Sequence, residues 1–345
     1  MDTPSDPSKP RVTLKDIARQ AGISHGAVSL ALRNSHEVSK ETCERIQRIA
    51  HEMGYQPNPL AAGLAQFKRD SRSIPIQAAL GWLNFWSDPK TLRGYSEFEH
   101  HWQGATDAAE KHGYHLEEFC CMNLMPVSRL EKILLARGIN GLLVPPGRVP
   151  PEMADFPWDK FSVVRLSRPE QELRFHAVMS DQLANAMLAF EKTREKGYQR
   201  IGYIGRLYGP RLYTPGYLWA QSFVPEELRL PPLFLADGKD EENQCAFTAW
   251  VEENKPDAII TEWAQLTPML QKVGLRVPED VGVAALNIFD MPFGAGINPN
   301  PDEIGRVGVL AAISFINDQA RGIPTIQREV LVKGDWVDGA SLPGM

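Results

Sequence analysis

The chain is poor in cysteine, with four in 345 residues: Cys43, Cys120, Cys121 and Cys245. None forms a C-x-x-C pair or stands at zinc-ligand spacing from histidine, and adjacent Cys120-Cys121 is a poor disulfide arrangement. Reduced structural thiols are expected, with neither metal nor cofactor. No apolar run reaches the roughly 20 residues that span a bilayer, and no signal-peptide pattern precedes the first structured segment. No membrane partner is therefore expected, and a cytoplasmic location is. Gly202-Tyr203-Ile204-Gly205 has neither dinucleotide-binding nor Walker spacing, and no G-x-S-x-G occurs, so no catalytic residue is assigned and no enzyme is expected. No leucine heptad follows Trp336, so a coiled-coil tetramer is not expected. Positive charge is also short: 37 Lys and Arg face 43 Asp and Glu, a net charge of −6.

That balance alone argues against nucleic acid, but its distribution reverses the argument. Lys9 to Arg69 holds ten basic and five acidic residues, a net +5, and the rest of the chain carries −11. A basic end on an acidic body puts a phosphate-binding face at one pole. Hydrophobic content of 43% and charged content of 23% are ordinary for a globular protein. The length exceeds one usual domain, which fits a small headpiece and a larger body.

The basic end opens VTLKDIARQAGISHGAVSLAL, from Val12 to Leu32. Two short helices crossing at a tight turn need a small residue at Ala18 and a residue free of Cβ strain at Gly22. Ile17, Ile23, Val28 and Leu32 can fill the core between them. Thr13, with Asp16 as its capping-box partner, and Ser24 are placed to cap the two helices. This is a helix-turn-helix pattern. A third helix follows in KETCERIQRIAHEMGY, capped by Ser39, with Ile46, Ile49 and Met53 on one face. Then Asn58 and Pro59 start a short helix through Ala61 and Leu64, too short to hold alone in water. Such a helix forms on a partner, leaving Leu64 to wedge a minor-groove base step; packing of Leu64 onto the body is the alternative.

VTLKDIARQAGIS, AVS, the Val38-Ser39 start of the third helix and GYQPNPLAAGLA, in that order, resemble the lac repressor (LacI/GalR) family of transcription regulators. The resemblance implies an all-α helix-turn-helix headpiece followed by an α/β, two-lobed, periplasmic-binding-protein-like body with parallel sheets flanked by helices. The expected partition is a disordered lead over 1–10, the DNA-binding domain over 11–56, hinge helix and linker over 57–73, and an effector-binding and dimerisation domain over 74–340. Its lobes would comprise about 74–175 with 303–322, and 176–302 with 323–340. The recognition helix is placed at Ser24–Leu32, with His25, Gly26 and Leu30 facing base edges. Many relatives carry a guanine-reading arginine where Leu30 stands; Arg33 or His25 can substitute. Thr13, Ser24, Ser29, Asn34, Ser39, Tyr55 and Asn58 are candidate phosphate contacts. In a homodimer on a palindromic double-stranded operator, paired hinge helices would bring Ala61 and Leu64 to the central step.

In the body, strands are expected at 74–85, 114–121, 139–145, 161–166, 177–179, 201–205, 258–261, 281–286 and 330–336. Helices are expected at 98–113, 127–137, 182–196, 245–254, 264–273 and 304–320. Alternation of this kind gives parallel sheets with helices on both faces. Weaker family marks stand at Gly138–Gly141, Gly197–Gly202, Val277–Val281 and Trp336–Gly339. Loops at the carboxyl ends of such strands line the cleft, which selects Asn84, Phe85, Trp86, Glu262, Trp263 and Asn287; Phe85 reads equally as core.

Relatives often have arginine where Tyr213 stands, with Arg211 nearby here, an Asn-Asp pair at Trp263-Ala264, and aspartate at Asn287. Either the effector is not a typical monosaccharide or small-molecule control is weakened. Trp86 and Trp263, as a stacking pair, favour a different ligand of carbohydrate type. The resulting reading is a repressor whose operator grip is set allosterically by a ligand in the cleft. An effector-independent architectural DNA-binding protein is the alternative.

Overall fold

The structure is a computed structural model that describes residues 14–32, 38–53, 78–121, 126–168, 173–207 and 211–345. The chain divides into two compact units, Met1–Pro75 with Asn317–Ala320, and Ile76–Ile316 with Arg321–Met345. In the first, helices α1 (Leu14–Ala21), α2 (His25–Leu32) and α3 (Lys40–Glu52) surround a small core. Ile17, Val28, Ala31 and Ile46 are completely buried, with Ala18, Ile23, Leu32, Ile49 and Met53 packed around them. Gly22 takes φ +68° between α1 and α2, a conformation that a Cβ would oppose. Ser24 accepts the Ala27 N–H at 3.1 Å, and Ser39 accepts that of Thr42 at 3.3 Å. Each serine thus satisfies an amide that a helix start leaves without a backbone partner.

The body contains two six-stranded sheets. The first is built from β1 (Ala78–Asn84), β2 (Tyr114–Cys120), β3 (Gly141–Val144), β4 (Ser162–Arg165), β5 (His176–Ser180) and β11 (Glu329–Val332). Its order is β11-β5-β4-β3-β1-β2, and every pair is parallel. The second is built from β6 (Ile201–Arg206), β7 (Leu233–Leu235), β8 (Ala258–Thr261), β9 (Gly282–Ala285), β10 (Gly296–Asn298) and β12 (Asp335–Val337). Its order is β12-β10-β9-β8-β6-β7, parallel except for the β10–β12 pair.

Helices cover both faces because alternate strand residues point to opposite sides. On the second sheet, Tyr203, Ile260 and Ala284 pack with Phe190 and Tyr217 of α7 (Gln182–Glu195) and α8 (Tyr213–Gln221). Ile204, Ile259 and Val283 pack with Phe247 and Leu266 of α9 (Asp240–Asn254) and α10 (Leu266–Lys272). On the first sheet, α6 (Val127–Ala136) covers one face through Leu130 and Leu134. The other face receives α11 (Pro301–Asn317), where a Cβ on Gly141 or Gly308 would strike Ile316 or Leu166 respectively. Short α4 (Pro89–Gly94) leads into α5 (Ser96–Lys111), which lies against α11. There a Cβ on Gly104 would fall on the Asp302 carbonyl, and one on Gly305 on the His101 carbonyl.

Two expectations about connectivity are corrected. Strand β5 belongs to the first sheet, so the chain leaves the first lobe after Ser180 rather than near residue 175, and returns at about Pro301. The single closing strand expected over 330–336 is two strands in different sheets, β11 and β12. Gly334 stands between them, its N–H donating to Asn185 Oδ1 at 2.8 Å where a Cβ would strike Ile297. Helix α8 and strands β7 and β10 were not foreseen. All four cysteines are unpaired. Among the described residues no helix is long and apolar enough to cross a membrane.

Candidate functional site

The headpiece offers α2. Its inner face is Val28 and Ala31, both fully buried, while Ser24 and Gly26 at its start are exposed and Leu30 is half-buried. His25 and Ser29 lie on this helix. An exposed helix start preceded by a tight glycine turn is the geometry with which a second helix presents its first residues to a groove. The Ser24 and Ser39 hydroxyls spend an acceptor lone pair on their caps, and each remains on the exposed surface. Thr13, Arg33, Asn34, Tyr55, Asn58, Ala61 and Leu64 lie outside the described residues, as does the expected hinge helix.

Within the body, a cleft of about 460 Å³ has walls from both lobes. The first lobe supplies an aromatic wall. Trp86 leaves the end of β1 and is oriented by two hydrogen bonds, its N–H to Asn84 Oδ1 at 3.0 Å and its indole N–H to the Pro146 carbonyl at 2.8 Å. Gly147 sits under that indole at φ +141°, where a Cβ would displace the ring. Tyr95 lies 5.6 Å from Trp86, Phe98 lies 5.4 Å from Tyr95, and His101 stacks on Phe98 at 5.8 Å. Arg165, at the end of β4, is 3% exposed and donates to the Gly147 carbonyl at 2.6 Å and to Ser167 at 3.0 Å.

The second lobe supplies a polar wall. Glu262 follows β8 and accepts from the Tyr203 hydroxyl at 3.0 Å and the Arg206 N–H at 3.2 Å. Its other oxygen pairs with Arg211 at 3.0 Å. Burial and the adjacent Glu262 both push the Tyr203 hydroxyl up, so it remains a donor. Arg206 pairs with Asp237 at 2.6 Å.

Polar groups cross between the lobes at the cleft. Asn287, after β9, donates to Glu97 Oε2 on α5 at 2.7 Å. Asp290 accepts the Ser96 N–H at 2.8 Å and the Glu97 N–H at 3.3 Å, capping a first-lobe helix from the second lobe. The Phe289 ring lies 4.7 Å from His100. Burial and the Asp290 carboxylate push Glu97 up to about 7, while Arg211 and Asn287 pull the other way. An aspartate at position 287 would add a third carboxylate to this cluster; the asparagine found there donates instead.

Of the residues selected from sequence, Trp86, Arg211, Tyr213, Glu262 and Asn287 line the cleft together. Asn84 does not line it: completely buried, it bonds Glu118 and the Pro89 carbonyl and orients Trp86. Trp263 does not line it either. It is 4% exposed in the second lobe's core, with the Arg206 guanidinium 5.4 Å above its ring. The Trp86–Trp263 stacking pair is therefore not formed; Trp86 pairs with Tyr95 and Phe98. Phe85 belongs to the first lobe's core. Sequence reading missed Glu97, His101, Arg165 and Asp290. The available signals were a histidine on the apolar stripe of α5 and an arginine inside the apolar run of β4.

Comparison with known proteins agrees with this arrangement. Residues 13–58 match the model of bacterial regulatory proteins, lacI family, and residues 190–342 match a periplasmic binding protein-like domain. The HTH-type transcriptional repressor CytR of Escherichia coli K12 is 24% identical over 347 aligned positions, covering 93% of this chain and 95% of CytR. The catabolite repressor/activator of Salmonella typhimurium is 26% identical, covering 93% and 98%. Among solved structures, the transcriptional regulator CelR in complex with cellobiose superposes with a TM-score of 0.57 at 19% identity, over 96% of this chain and all of that one. The lac repressor dimer bound to operator and the anti-inducer ONPF gives 0.54 at 18% identity, over 97% and 100%. These relatives are transcriptional regulators, not enzymes. The chain thus carries a lacI-family helix-turn-helix domain followed by a periplasmic-binding-protein-like domain, and its homologues are regulators such as CytR.

Proposed function

We propose that this regulator is a cytoplasmic repressor that binds a palindromic operator as a homodimer and is controlled by a carbohydrate or sugar derivative in the inter-lobe cleft. The observation that carries the ligand control is the cleft itself, with an aromatic wall on one lobe and a hydrogen-bonding wall on the other. Flat rings stack on the C–H face of a sugar, and convergent polar groups read its hydroxyls. The lobes meet there through polar contacts, Glu97 with Asn287 and the Ser96 amide with Asp290, which a ligand can strengthen or replace. A ligand that favours one lobe arrangement alters operator affinity by reciprocal coupling when that arrangement also sets the spacing of the paired headpieces.

The complexes of CelR with cellobiose and of the lac repressor dimer with operator support this reading. The effector-independent alternative leaves such a cleft without a purpose. Selection of bound sequences from random duplex DNA tests the DNA half. An inverted repeat with half-sites about one or two helical turns apart is expected, and recovery of unrelated sequences at low salt would refute it.

A further inference from the structure

We propose that His101 is a ligand-reading residue at the inner end of the cleft, and that the ligand portion it meets is uncharged and hydroxyl-bearing. This rests on the cleft being a small-molecule site and specifies what it takes. His101 heads the inward stripe of α5, followed by Gly104, Ala105, Ala108 and Ala109, all buried. It is 2% exposed and lines the cleft beside Phe98, Arg165 and Ile304. Among the described residues neither ring nitrogen has a hydrogen-bond partner. On an apolar stripe, an imidazole with two unmet polar atoms destabilises the fold. On a residue that borders the cleft, the same two atoms are available as a recognition element.

The chemistry of the ring selects its partner. Burial, with neighbouring His100, disfavours the charged form, so the ring offers one donor and one acceptor. A carboxylate or phosphate only accepts and leaves the acceptor nitrogen unmet; an ammonium only donates. A hydroxyl, or a vicinal pair, does both. Glu97 faces the same cleft one helical turn earlier on α5. Protonated, its carboxyl has the same dual capacity. Phe98 holds the imidazole plane within 27° of its own, which sets the plane in which both nitrogens donate or accept.

The test is calorimetry on the full-length protein with neutral mono- and disaccharides and their uronic-acid and phosphorylated counterparts. Wild type is expected to bind a neutral sugar more tightly than its charged counterpart. His101→Phe, which keeps the stacked ring, should weaken that binding by roughly tenfold or more, the worth of one or two hydrogen bonds. It should leave the unfolding midpoint of the ligand-free protein unchanged or raised. His101→Gln, which restores a donor and an acceptor, should bind within about threefold of wild type. Equal binding by His101→Phe would overturn the role of His101 alone. A His101→Gln variant as weak as His101→Phe would reduce His101 to packing. Preference for the charged sugars would overturn the ligand class, and no binding by wild type across the panel would overturn the cleft reading itself.

Discussion

Glu97 sits where four influences meet: its own burial, the Asp290 carboxylate, the Arg211 guanidinium and the Asn287 amide. Burial and Asp290 win, and the carboxyl titrates near 7 rather than at its ordinary 4.5. A folded-state value raised in this way contributes stability that is complete below the unfolded value and lost as pH rises through the folded one. Thermal unfolding should therefore show the body losing stability between about pH 5 and pH 7.5 through this group. Glu97→Gln, which keeps an acceptor for Asn287 and cannot ionise, should flatten that interval; an unchanged pH profile would remove Glu97 as its source. Legibility at this scale follows the range of the interaction. The caps at Ser24 and Ser39 could be read from sequence because a cap joins residues three apart. Glu97, His101 and Arg165 could not, because what makes each unusual comes from residues distant in the chain. Trp263 misled for the same reason: its place after a strand end was legible, and its burial under Arg206 was not.

Among the elements, the crossing of α5 and α11 decides where the cleft's contents stand. Gly104 and Gly305 let the two backbones approach to where any Cβ would meet a carbonyl oxygen, and the carbonyl beside Gly305 is that of His101. Gly305→Ala should force the helices apart, costing about 3 kcal/mol as overpacking does, and should move His101 with α5. Denaturant unfolding measures the first effect and sugar affinity the second; a fully stable, fully binding variant would show that the crossing yields freely. The core elements were legible because alternating strands and amphipathic helices leave periodic marks, and β8 falls on the expected 258–261. Short strands β7 and β10, three residues each, are too brief to carry a period. The division of 330–336 between two sheets was hidden as well. A strand run states only that backbone is extended, and partner choice is made by β5 on one side of Gly334 and by β10 on the other.

For the whole molecule, the central proposition joins a basic amino-terminal segment of net +5 to a body whose cleft is read from both lobes. If that segment neutralises phosphates as proposed, operator affinity is expected to fall with salt, independently of sequence. The headpiece was the most legible part because its helices pack through local contacts, and its family pattern is dense in Val12–Ala65. The ligand was the least legible, since it is read by side chains gathered from two lobes. The decisive measurement is titration of the selected operator, at one fixed salt concentration, with and without a saturating cleft-binding sugar. The account predicts a change in operator affinity of roughly fivefold or more, the usual scale of allosteric coupling, and its loss in His101→Phe at the same sugar concentration. Identical operator curves with and without a sugar shown by calorimetry to bind would contradict it.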